Sequence, residues 1–152
     1  MKTLHSFLFA TLISCISIFS SCSSDDDDNN GTSSDLYKIE VNFGEGAENY
    51  LKQVSITGSS DSNIVSIKDG SGKELTTGSL TDSNYTFASK NTFELTEKAS
   101  TLALGVSVSH HGTTQHDAVS VSVKIYKGGK LIYEDEGTAT STKSYQLIKS
   151  YY

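Results

Sequence analysis

The chain has no proline, no tryptophan and no arginine, and its two cysteines, Cys15 and Cys22, both stand near the amino terminus. Each absence excludes something. With no cysteine after Cys22, no disulfide can staple a folded domain, which must be held by its core and its sheet hydrogen bonds. Without proline, the turns fall to Gly, Asn, Asp and Ser. Without arginine there is no bidentate phosphate donor, and from Leu36 onward thirteen acids face eleven lysines, a net charge of −2. A nearly neutral, arginine-free domain lacks the electrostatic footprint of nucleic-acid binding, so no nucleic-acid partner is expected. Most of the −6 carried by the whole chain sits in one run, Asp25-Asp26-Asp27-Asp28.

What is present begins with Met1-Lys2, an apolar stretch from Phe7 to Phe19, and the small residues Ser20 and Ser21 ahead of Cys22. A positive start, a short apolar core and small residues at its end make a secretory signal-peptide plan. The stretch falls short of the roughly 20 residues that span a bilayer, so a retained transmembrane helix is the weaker reading. Phe19-Ser20-Ser21-Cys22 resembles a lipobox, although that pattern favours Leu where Phe19 stands. In a lipobox the cysteine thiol takes a diacylglyceryl group before the leader is cut away. Leu12-Ile13-Ser14-Cys15 fits the pattern better letter by letter. Cleavage there would leave Ile16, Ile18 and Phe19 at the new terminus and an apolar core of only about eight residues, so Cys22 is the expected lipid-attachment residue.

Ser23-Ser24 followed by the four aspartates is similar to the acidic export signal of surface lipoproteins of the Bacteroidota. That resemblance implies a lipid-anchored protein of the outer membrane, exposed at the cell surface, with the membrane as a partner through its anchor. The same four carboxylates repel one another and make a solvated, extended spacer whatever reads them. The expected organisation is a signal peptide over 1–21, an acidic flexible tether over 22–34 and one domain over 35–152.

In that domain Tyr37, Ile39, Val41 and Phe43 alternate with polar residues, which predicts a half-buried strand. Val54 with Ile56, Val65 with Ile67, Tyr85 with Phe87, Phe93 with Leu95, and Tyr145 with Leu147 repeat the period-two pattern. The clearest runs are Leu102, Leu104, Val106, Val108 and Val119, Val121, Val123, Ile125, which read as partners in one hairpin. Lys127-Gly128-Gly129-Lys130 marks a second, tight hairpin. Seven to nine short strands with frequent turns predict an all-β, immunoglobulin-like β-sandwich of antiparallel strands, with a small β-barrel as the alternative. The segment KIYKGGKLIYEDEG, residues 124–137, loosely resembles small sandwich domains of mycobacterial accessory membrane proteins; no function is carried over from it.

Reactive residue types gather at His110-His111-Gly112-Thr113-Thr114-Gln115-His116-Asp117. The expected hairpin has two open registers, and in one of them His111 and His116 face each other, close enough for two imidazoles to share a Zn²⁺ or Cu²⁺ ion. A specific zinc site needs three or four ligands, so this pair would need help from another loop or chain. The bland alternative is a polar hairpin end with exposed histidines. Asp61-Ser62-Asn63 and Asp82-Ser83-Asn84 offer oxygens of the kind calcium loops use, but neither has the spaced acids of such a loop, and turn closure is the simpler role. Tyr126 and Tyr133 are placed to form a ligand-binding aromatic platform across the Gly128-Gly129 turn.

No convergent catalytic set and no cofactor motif stands in the sequence. The expected function is a non-enzymatic binding, adhesion or assembly module with a protein or carbohydrate ligand. The alternative is a metal-binding or hydrolytic enzyme that uses the 110–117 histidine cluster.

Overall fold

The computed structural model describes residues 35–152; Cys22, the leader expected over 1–21 and the tether expected over 22–34 lie outside the described residues. No helix among the described residues is long and apolar enough to cross a membrane. The strands are β1 (Tyr37–Phe43), β2 (Tyr50–Ser60), β3 (Asn63–Val65), β4 (Ile67–Asp69), β5 (Ser79–Thr81), β6 (Lys90–Leu95), β7 (Thr101–His110), β8 (Val119–Lys127), β9 (Lys130–Ala139) and β10 (Tyr145–Tyr151).

They form two antiparallel sheets. The first has the order β4-β6-β1-β8-β9; in the second β10-β7-β2-β3 is completed by β5, which shares the outer edge of β2 with β3. The period-two pattern explains the layering. Ile39 and Val41 of β1 and Val123 and Ile125 of β8 point inward from one sheet. Val54 and Ile56 of β2 and Leu104, Val106 and Val108 of β7 point inward from the other. Together they make one buried core. The arrangement is an antiparallel β-sandwich, as the sequence predicts, with ten strands in place of seven to nine, and because the sheets stay separate it is not the barrel.

Three expectations need correction. The runs in β7 and β8 are not hairpin partners: β7 pairs with β2 and β10, whereas β8 pairs with β1 and β9. Alternation records which face of a strand is buried, and two strands facing each other across a sandwich satisfy it as well as two neighbours do. Loop 111–118 is long enough to cross the roughly 10 Å between packed sheets. Tyr85 and Phe87 lie in the loop between β5 and β6, not in a strand; their rings pack edge-on to each other and onto Phe43 and Phe93.

The third correction concerns the tight hairpin, which does form, with Gly128 and Gly129 both at positive φ (58° and 74°). A bulge after Ile125 changes the register from Tyr126↔Leu131 to Ile125↔Tyr133. Directly opposed residues share a face, so Tyr133 joins the inward row of Ile125. Tyr126 stays outside, where its hydroxyl donates to Glu40 at 3.2 Å and the ammonium of Lys38 lies 4.3 Å above its ring.

Pairing brings four connections to one end of the sandwich. Phe43 lies opposite Val121, Tyr50 opposite His110, Asn42 opposite Lys90 and Tyr145 opposite Val108. Loops 44–49, 82–89, 111–118 and 140–144 therefore gather there. Tyr37, where β1 begins, pairs with Lys127 at the opposite end.

Candidate functional site

The loop end holds the features of the domain that packing alone does not explain. The first is Lys52. It occupies an inward position of β2, in register with Tyr50, Val54 and Ile56, and only 8% of it is exposed. Strand parity forces its side chain inside, and a buried ammonium costs several kcal/mol unless it is paired and hydrogen-bonded. Here it is both. Its Nζ donates to the main-chain carbonyls of Ala47 and Tyr50, each at 2.9 Å, and lies 3.0 Å from Asp82 Oδ1. Asp82 Oδ2 accepts the main-chain N–H of Lys52 at 2.6 Å.

Local chain geometry builds this cradle. Gly46, at φ 84°, turns the backbone into a single 3₁₀ turn, Ala47–Asn49, which aims the Ala47 carbonyl at the ammonium. On the far side the repeat Asp82-Ser83-Asn84 divides its labour. Asn84 closes the turn, with Oδ1 accepting the N–H of Thr81 at 2.7 Å and Nδ2 donating to Ser79 O at 3.0 Å, which leaves Asp82 for Lys52. The related string after β2 behaves differently, since Asp61 and Ser62 themselves take positive φ in a tight turn. Asp69 is likewise spent on its own turn: Oδ1 accepts from Ser71 N, Ser71 Oγ and Lys73 N, and the Ser71 hydroxyl foremost holds its carboxyl below the usual range. An open hollow beside Lys52 is rimmed by Glu45, Glu48 and Tyr85.

Lys52 and the carbonyls of Ala47 and Tyr50 escaped the sequence reading, which took Asp82 for a turn residue. The signal was there: a lysine two residues before Val54 and Ile56, in the same parity, belongs to the buried row.

The histidine cluster lies at the same end but is arranged otherwise than expected. His111 is exposed, and it is His110 that meets His116, with ring centroids 5.4 Å apart. The ring of His110 also packs edge-on to Tyr50 at 5.7 Å, and its Nε2 is buried without a hydrogen-bond partner. Loop 111–118 is fastened by Tyr50, whose hydroxyl donates to Asp117 O at 3.0 Å, and by Ser141, whose Oγ accepts the N–H of His116 at 2.9 Å. Among the described residues no three His, Cys, Asp or Glu side chains converge as metal ligands. Tyr126 and Tyr133, on opposite faces of the first sheet, form no common platform.

A sequence profile for PLAT/LH2 and C2-like Ca²⁺-binding lipoproteins matches residues 4–147. The chain belongs to this family. The family is one of lipoproteins, and the fold above is an all-β sandwich. No curated protein sequence matches significantly. Among solved structures, the calcium-bound form of a protein from Parabacteroides distasonis is similar, with TM-score 0.66 and 23% identity over 84% of this chain and all of that one. A domain of unknown function from Bacteroides vulgatus matches with TM-score 0.58 and 16% identity over 80% of this chain and 94% of that one. A related protein from Bacteroides ovatus gives TM-score 0.59 and 15% identity over 78% and 93%. At these identities the likeness is one of fold.

Proposed function

We propose that this family member is a non-enzymatic binding module, held at the outer membrane by lipid on Cys22 and displayed at the cell surface, which engages a protein or carbohydrate through its loop end. The observation that carries this reading is the gathering of loops 44–49, 82–89, 111–118 and 140–144 at the end opposite Tyr37, the end at which the chain joins its amino-terminal segment. Loops on a rigid sandwich are the usual place for recognition. An epitope tag inserted at Gly112, which is exposed and has open space around it, tests display. Antibody should label the tag on intact cells. Labelling only after permeabilisation would refute surface display.

Calcium enters by likeness to the family and to the Parabacteroides relative. A Ca²⁺ ion takes roughly six to eight oxygens. At the loop end the inward-facing oxygens of Ala47, Tyr50 and Asp82 converge on one point, and Lys52 Nζ stands at that point. These residues do not fit a calcium ion there.

A second reading, capture of a divalent ion by the histidine loop, is favoured by the unpartnered Nε2 of His110 facing His116. The ligands in that reading are His110 and His116, in place of the His111 and His116 pair expected from the sequence. The hydrolytic alternative needs a histidine ring held between a carboxylate and a hydroxyl, whereas His110 packs against the rings of Tyr50 and His116.

A further inference from the structure

We infer that the ammonium of Lys52 is a built-in cation: it fills an oxygen-lined cation site at the loop end and makes that site independent of calcium. The donors around it are those a hard cation prefers, two main-chain carbonyls and a carboxylate, at 2.9, 2.9 and 3.0 Å. The Lys52 side chain is nine-tenths buried and brings one positive charge on a covalent tether. A bound metal would have to be drawn from solution, with its loops ordered at the moment of binding. A tethered ammonium is present whenever the chain is folded, so the 44–49 loop and the start of the 82–89 loop are locked at all calcium concentrations.

Two features separate this from an ordinary surface ion pair. Lys52 lies in the buried row of a central strand, where its neighbours in parity are Tyr50 and Val54. It also ties together two segments distant in sequence: Ala47 follows β1, Asp82 follows β5, and Lys52 itself stands in β2. Lys52 thus joins three segments at one point, as a metal ion in such a loop cluster would.

Removing the tethered charge should uncover the site for a free cation. In Lys52→Ala the carbonyls of Ala47 and Tyr50 and the carboxylate of Asp82 lose their partner, with Glu45 and Glu48 at the rim to complete a coordination shell through water. Lys52→Met removes the charge but keeps an unbranched apolar stem in the space.

The test uses the full-length chain in detergent micelles, with CaCl₂ or EDTA as the only variable. In the wild type, the amide resonances of residues 46–50 and 82 should not move on addition of calcium. Lys52→Ala should melt lower than wild type in EDTA and gain about 5 °C or more in CaCl₂. The amide changes should be confined to the same residues. The gain should vanish in Lys52→Ala/Asp82→Asn and be absent in Lys52→Met. Calcium-induced shifts at 46–50 and 82 in the wild type would overturn the inference. So would a Lys52→Ala chain that gains no more from calcium than wild type does, or that stays unfolded in CaCl₂ as in EDTA. None of these outcomes bears on what the loops bind or on where the protein is displayed.

Discussion

The phenol of Tyr145 donates to Asp135 Oδ2 at 2.7 Å, fastening β10 of one sheet to β9 of the other. The ring lies directly over Gly137, where an added Cβ would stand 2.5 Å from it. The contact closes the side of the sandwich on which neither edge strand has a further partner.

Tyr145→Phe should therefore cost about 1.5–3 kcal/mol, the worth of a hydrogen bond to a charged acceptor. It should also change the alkaline limb of stability. Burial first, and then the bond to Asp135, push the tyrosine hydroxyl well above its ordinary value of 10.0. A group raised in the folded state stabilises fully below its unfolded value and loses that contribution as pH climbs through the folded one. The melting midpoint of the wild type should fall above pH 10, and less steeply in Tyr145→Phe. Tyr85, Tyr133 and Tyr151 are shifted the same way by burial, so a residual slope should remain. Equal slopes in the two proteins would contradict the assignment.

Asn91 is only 5% exposed and holds the 82–89 loop onto β1. Its Nδ2 donates to Val41 O at 3.0 Å and Ala88 O at 2.7 Å, and its Oδ1 accepts the N–H of Ala88 at 2.9 Å. Asn91→Ala leaves the buried carbonyl of Val41 and the partly buried N–H and C=O of Ala88 short of a partner and should lower unfolding free energy by about 1–3 kcal/mol. Denaturant titration measures it. Asn91→Asp restores the acceptor but not the donors, and should recover little.

Zinc titration by calorimetry separates the two histidine pairings. Binding to two imidazoles should be weak and require neutral rings. His116→Ala and His110→Ala should each abolish it, while His111→Ala should leave it unchanged. Loss on His111→Ala and His116→Ala, with His110→Ala unchanged, would return the site to the pairing read from sequence.

Lipid attachment at Cys22 is checked by mass spectrometry of the mature amino terminus. A diacylglyceryl-modified Cys22 is expected, and Cys22→Ser should release the protein from the membrane fraction. Acylation at Cys15 would move the anchor.

The alternation of apolar residues made the class of fold legible, along with the inward rows of β1, β7 and β8 and the Gly128-Gly129 turn. Strand neighbours were not legible, because Val106 has the same inward direction whether Val121 lies beside it or across the core from it. Nor was the bulge after Ile125, since one extra residue leaves no mark in composition yet carries Tyr133 to the other face. The cradle of Lys52 was half written. The parity of Lys52 pointed inward, but its partners come from three places in the chain, and main-chain carbonyls carry no sequence signature.

The pairing of β1 has a kinetic consequence. It finds neighbours only in β6 and β8, so Lys38 waits for Glu94 and Tyr37 for Lys127, and β2, beyond its short pairings with β3 and β5, waits for β7 along its other edge. Ring closures of this length must be completed before either sheet gains its interior hydrogen bonds. Such chains collapse late and cooperatively, in milliseconds to seconds, where a domain of sequential hairpins would set as it emerged. β1 lacks its second neighbour until β8 is available, so the first sheet gains its central pairing only after most of the domain has been made.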